Sequence, residues 1–201
     1  NTTLQYYYLM ENFMRDYLLD IVQHTHGLGV INLIKIIGTA DKTEINAFDT
    51  DNKTVILNAE FKNPNPDFIG TFGMPNLSKL NILLNLPEYK ENAKLSISKR
   101  ADGAPDGINF LNASGDFKNN YRFMASEIVT EKAKNVKFKG VNWNVEFEPT
   151  VAAIQRLKMQ AQANAEEPTF QVKTDNGDLK FSFGDHSTHS GNFVFEPSVS
   201  G

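Results

Sequence analysis

The sequence predicts an α+β fold in which antiparallel sheets carry helices packed on one face. Three observations predict it. One order of elements recurs three times: a strand-like run, a helix, then three strand-like runs, with helices starting near residues 9, 76 and 150. Each helix shows apolar residues on one side only, the pattern of a helix lying on a core. Turn residues sit between the strand-like runs, Asp175-Asn176-Gly177 being the strongest hairpin signal.

In the first copy a strand is expected at residues 4–8 and a helix at 9–23. Met10, Phe13, Met14, Tyr17, Leu18 and Ile21 share one side of that helix. Gly27 and Gly29 stop it, because glycine adopts the left-handed turn that ends helices. Strands follow at 30–37, 43–49 and 54–61. Thr50-Asp51-Asn52-Lys53 reads as a hairpin turn between the last two.

The second copy opens with a strand at 68–72. Its helix spans 76–86, with Asn76 as N-cap and Leu77, Leu80, Leu83 and Leu84 as the buried stripe. Pro87 ends it, lacking the N–H that a further helical turn needs. Strands follow at 93–99, 108–113 and 120–125, with Asp102-Gly103 and Asp106-Gly107 marking the first turn.

The third copy opens at 141–147, where Val141, Trp143, Val145 and Phe147 alternate onto one side of a strand. Pro149 suits a first helical turn, and the helix runs to Ala163 with Val151, Ile154, Leu157 and Ala161 facing inward. Strands follow at 169–173, 179–183 and 192–195. Residues 126–140 are polar and lysine-rich through Glu131–Lys139 and read as a connector. The expected organisation is a first domain at 1–125 with two units, a connector at 126–140, and a second domain at 141–201 with one unit.

Composition narrows the function. The 201 residues include no cysteine, which removes disulfides, thiolate metal sites and a cysteine nucleophile together. Hydrophobic residues at 40% and charged residues at 22% are ordinary for a soluble globular chain. No apolar run approaches the roughly 20 residues of a membrane helix. The opening Asn1-Thr2-Thr3-Leu4 lacks a signal-peptide layout, so a cytoplasmic location is expected. A net charge of −4 permits nucleic-acid contact only where positive charge gathers on one face.

The repeated strand–helix–three-strand unit, two per domain, resembles the DNA sliding clamp family. Phe72-Gly73-Met74-Pro75-Asn76-Leu77-Ser78-Lys79-Leu80 resembles the clamp segment that enters the second helix of the first domain. Phe147-Glu148-Pro149-Thr150 through Leu157, with the hairpin at Asp175-Asn176-Gly177, resembles the opening of the second clamp domain. Thr43-Glu44-Ile45-Asn46-Ala47-Phe48-Asp49 resembles a strand of the first clamp unit. A complete two-domain clamp carries four units and this sequence holds three, so a reduced or truncated second domain is expected.

The resemblance implies a DNA-clamp fold that closes into a ring around duplex DNA, with sheets outside and helices lining the hole. Phage and eukaryotic clamps are usually trimers, so a ring-forming homo-oligomer of that kind is expected. It also implies a polymerase and a clamp loader as partners, no enzymatic activity and no cofactor. Phosphate-facing residues must be long, cationic or amide-bearing, and exchangeable enough to let the ring slide. By position on the helices these are Arg156, Lys158, Lys79, Arg15 and Gln155. Glu11, Asp16 and Asp20 compete with Arg15, and for all five the plain alternative is a solvated helix face. Clamp partners insert a hydrophobic peptide beside the connector, which points to Val129, Val136 and Phe138; the plain alternative is that these dock the connector onto a sheet.

Other signals are weaker. His24-Thr25-His26 and His186-Ser187-Thr188-His189 pair imidazoles without the spacing of a metal motif. No phosphate-cradling loop or nucleophile elbow is present. Tyr6-Tyr7-Tyr8 could stack on bases, or line a strand with two wet edges. Two rival functions follow. A viral structural or assembly protein would show no DNA retention and no basic helix face, and a single-strand binding module would bind short oligonucleotides with steep salt dependence.

Overall fold

The computed structural model describes residues 14–49, 51, 55–61, 63–133 and 140–199. The chain divides into two compact units, Asn1–Phe138 and Lys139–Gly201. It is a mixed α/β protein whose strand pairings are all antiparallel among the described residues. The strand expected at 4–8, the helix start at 9–13 and Thr50, Asn52 and Lys53 of the turn lie outside the described residues.

In unit one, residues 14–24 form helix α1, extended by a short 3-10 turn at His26–Leu28. Gly29 closes that turn at φ 83°, donating its N–H to the His26 carbonyl. Strands β1 (Leu33–Gly38), β2 (Thr43–Phe48) and β3 (Ile56–Phe61) follow, then β4 (Gly70–Pro75) and α2 (Leu77–Asn85). The order in the first sheet is β3-β2-β1-β4. Thus β4, which opens the second copy, is bonded into the sheet of the first. Register explains the core face: Ile34 sits opposite Ala47 and Met74, and Ile36 opposite Ile45 and Phe72. Period-two alternation puts all six on one side, where they are buried.

The second sheet has the order β5-β6-β7, from Lys94–Lys99, Pro105–Leu111 and Lys118–Arg122. Its apolar face (Leu95, Ile97, Ile108, Phe110, Tyr121) joins α1, α2 and the first sheet in one core. Gly73 and Met124 exchange backbone bonds of 2.9 and 2.8 Å and stitch the end of β7 to β4. The start of α2 is held from β1's side: Asn32 accepts from the N–H of Leu77 through its carbonyl and of Ser78 through Oδ1. Asn76 stands at the N-cap as expected but in the left-handed region, φ 52°, and its side chain caps no backbone amide.

Residues 126–133 are not an open connector. Ser126–Ala133 is a helix, α3, with Glu127 in its first turn and Lys132 in its last, both favourable to the helix dipole. Val129 is fully buried against Leu33 and Phe48, on the face of the first sheet opposite Ile34. The expectation of helices on one face therefore holds for α1 and α2 and fails for α3. Gly73 makes this possible, since a Cβ there would stand 2.9 Å from Val129 Cβ.

Unit two contains α4 (Val151–Ala163) and the sheet β10-β9-β8, formed by Gly191–Glu196, Asp178–Phe183 and Phe170–Asp175. Thr150 is the N-cap, its hydroxyl accepting from Ala153 N at 3.0 Å. Pro149 thus precedes the cap and is not in the first turn. The inward stripe of α4 is Ala153, Leu157, Gln160 and Asn164, rotated from the expected one, and Val151 is 78% exposed. The core beneath is aromatic: Phe181, Phe183, Phe193 and Phe195. The expected strand at 141–147 does not form; these residues join no sheet among the described residues. A strand exists only where another strand satisfies its amides and carbonyls. The equivalent β4 finds that partner in the sheet of the neighbouring copy, and unit two holds a single copy.

Candidate nucleic-acid interface

The outward faces of α1, α2 and α4 are where a duplex could be met, and they differ in charge. On α1 the exposed residues are Asp16, Asp20, Gln23 and His24. His24 Nδ1 lies 2.9 Å from the Asp20 carbonyl and 3.1 Å from its carboxylate, an exposed i,i+4 pairing of little energetic weight. This face would repel phosphate. On α2, Lys79, Ile82 and Asn85 are exposed, with Ser78 and Asn81 half-buried beside them. On α4 the outward row is Val151, Gln155, Lys158 and Gln162, flanked by Ile154 and Met159. These two faces carry one lysine each, several amides and no carboxylate within the helices.

Two of the expected DNA-facing residues have other work. Arg15 donates from Nη2 to the Leu84 carbonyl at 2.8 Å and is half-buried. That carbonyl lies at the C-terminal end of α2, where a cation complements the helix dipole. Arg15 therefore ties α1 to α2. Arg156 donates from Nη1 to the Val194 carbonyl at 3.3 Å, with its guanidinium 5.3 Å from the Phe193 ring centre. One turn on, Gln160 donates to the Asn192 carbonyl at 3.2 Å. Together they seat α4 along β10, and Gly191 gives the room, its hypothetical Cβ falling 2.8 Å from Gln160 and Asn164. Lys79 and Gln155 keep their outward placement, and Lys158, nearer the edge of the expected stripe, is exposed as well.

The groove residues fare differently again. Val129 is at 0% exposure, so it docks α3 and cannot line an open groove. Val136 and Phe138 lie outside the described residues. An apolar groove of about 800 Å³ opens elsewhere in unit one, lined by Tyr17, Ile21, Leu28, Ile45, Leu57 and Phe61, between α1 and strands β2 and β3.

The docking roles of Arg15 and Arg156 were missed because helical spacing tells which residues face out, not what a long side chain reaches back to. The stripe of α4 was missed because Ala153, Gln160 and Asn164 are small or polar. Counted with Leu157, their spacing of four, three and four was the available signal.

Among the described residues no group of three or more His, Cys, Asp or Glu is placed to hold a metal. Among the described residues no helix is long and apolar enough to cross a membrane. No protein-family model matches the chain, and a search of curated proteins finds no similar one.

Proposed function

We propose that this chain is a DNA sliding clamp, which tethers a replicative polymerase by encircling duplex DNA and does no chemistry of its own. The observation that carries the reading is the recurrence of one helix-plus-three-strand module, with two modules in unit one sharing a core and the second lending β4 to the sheet of the first. Modular repetition of this kind suits a closed ring, and the lysine-and-amide faces of α2 and α4 suit weak, sequence-blind phosphate contacts. In this reading Lys79, Lys158 and Gln155 face the duplex. Arg15 and Arg156 hold the helices that present them. A polymerase, a clamp loader and further copies of the chain are the partners, in a ring expected to be trimeric.

The test is topological. The chain is expected to stay with closed circular duplex through gel filtration and to slip from the same DNA once linearised. Lys79→Glu with Lys158→Glu is expected to weaken that retention and to lower polymerase processivity while the circular dichroism spectrum stays native. Equal retention on circular and linear DNA, or none on either, defeats the proposal.

A second reading has one observation in its favour. The acidic outer face of α1, with Asp16 and Asp20 and no outward cation among the described residues, suits a structural or assembly protein that never meets phosphate. That protein would be indifferent to the Lys79 and Lys158 reversals.

A further inference from the structure

The hairpin between β8 and β9 carries a reactive dipeptide. Asn176-Gly177 is the sole asparagine–glycine pair in the sequence. Both residues are exposed and both are left-handed, at φ 51° and 84°. Asp175 pairs with Asp178 across them, so the loop has two residues with positive φ at each, the type I′ turn. The residues that make the turn can also react with each other. A main-chain nitrogen can attack the side-chain carbonyl of the asparagine before it and close a five-membered ring. Glycine hinders this attack least, since no Cβ crowds its nitrogen.

The turn itself opposes the reaction. Ring closure requires Asn176 to rotate its ψ until the Gly177 nitrogen stands over Cγ, close to half a turn from the about +30° of this turn type. The hairpin must therefore open first. Two contacts from the segment after β10 hold it shut. The Val199 N–H donates to the Gly177 carbonyl at 2.8 Å, and the Ser198 N–H donates to Asp178 Oδ1 at 3.1 Å. Val199 also packs against the aromatic core of the unit, which anchors that segment. The Lys180–Asp175 ion pair beside the turn is half-exposed and adds little.

We propose that Asn176 is a modification site, deamidating to aspartate and isoaspartate at a rate set by how often residues 198–199 release the turn. The Gly177 amide nitrogen gives up its proton and bonds to Asn176 Cγ. The bond from Cγ to the side-chain nitrogen breaks, and that nitrogen leaves as ammonia. Water then opens the succinimide, at Cγ to give aspartate or at the main-chain carbonyl to give isoaspartate. The sum is amide plus water to carboxylic acid plus ammonia, with no oxidant. Isoaspartate puts one more carbon into the main chain of a loop whose length fixes the register of β8 on β9. Its new carboxylate also stands between Asp175 and Asp178, where like charges repel. The reaction belongs to unit two alone and does not rest on the clamp reading.

The full chain, held in mildly alkaline buffer and followed by peptide mass mapping, is expected to gain its first extra mass unit at Asn176. The native rate there should be on the order of 10-fold below the rate in urea, because the closed hairpin is unreactive. Val199→Pro, which removes the N–H bonded to Gly177, should bring the native rate up on the order of 5-fold, the worth of one hydrogen bond, and leave the urea rate unchanged. Should Val199→Pro unfold unit two by circular dichroism, Asp178→Ala, which removes the acceptor of Ser198, decides by the same native-to-urea ratio. The isoaspartate form, separated on ion exchange by its added negative charge, should show faster amide exchange along β8 and β9 and unchanged exchange in unit one. Modification first at another asparagine overturns the proposal. So do equal rates in native buffer and urea, a native rate indifferent to loss of the clamping bonds, or an isoaspartate form with native exchange.

Discussion

Unit one and unit two are built from the same module, but two modules meet in the first and one stands in the second. In unit one, Phe72 of β4 is 1% exposed, because helices and sheets from both copies close over it. In unit two, Phe170 of β8 is 52% exposed, although it sits on the corresponding side of its sheet. One helix covers about two strands, since neighbouring strands lie about 4.8 Å apart and a helix is about 10 Å wide. A three-strand module therefore always leaves one strand bare. The lesson is that the module is half of a core.

Truncating an aromatic ring in each unit separates a closed core from an open one. Phe72→Ala should cost about 3–5 kcal/mol in denaturant unfolding, through lost burial and a trapped cavity. Phe170→Ala should cost the single copy less than about 1 kcal/mol, because half of that ring already meets water. Equal losses would show that β8 is not open. Next comes Gly73→Val, expected to cost about 1–3 kcal/mol by overpacking against Val129 and to raise amide exchange in α3. Thr150→Ala should cost about 1 kcal/mol through the lost N-cap, read as faster exchange at the start of α4.

The smallest effects are those of pH. Burial pushes the Tyr121 phenol well above its ordinary value, and its hydroxyl donates to the Pro75 carbonyl. Its stabilising contribution is full below the unfolded pKa of about 10 and is lost as pH rises beyond that. Tyr121→Phe should flatten the alkaline loss of stability. Asp116 behaves oppositely. Hydrogen bonds from Ser114 first and Asn112 next hold its carboxyl below the usual range. Its contribution is present above the unfolded pKa of about 3.9 and is lost as pH falls. Ser114→Ala should move the Asp116 carboxyl titration, followed by NMR, upward.

What was legible in the sequence follows from what is local. The leucine stripe of α2 and the strands at 30–37, 43–49 and 179–183 are read along a single element, and the structure has them as α2, β1, β2 and β9. The Asp175-Asn176-Gly177 turn was equally plain, with Asn176 and Gly177 at φ 51° and 84°. What depends on a distant partner was not legible. Residues 141–147 carry a strand pattern and form no strand, since pattern states a preference and pairing decides. Whether Val129 lines a groove or docks its segment onto a sheet is likewise set by a distant partner, and α3 presses it onto Gly73. Lys79 and Gln155 could be placed outward from spacing alone, whereas Lys158, near the edge of the expected stripe, faces out because the stripe of α4 is rotated from it. Arg15 and Arg156 could not be assigned, because their acceptors lie 69 and 38 residues away.

The position of β4 governs how this gene could be dissected. Its residues belong to the second repeat by order along the chain, while its ladder bonds belong to the first repeat's sheet. Cutting the polypeptide cleanly between repeats, before residue 70, would strip β1 of a neighbour and part α2 from Asn32, which holds its first turn. Expression of either half alone should yield insoluble product. The two halves, produced together, should find one another and refold as a split protein.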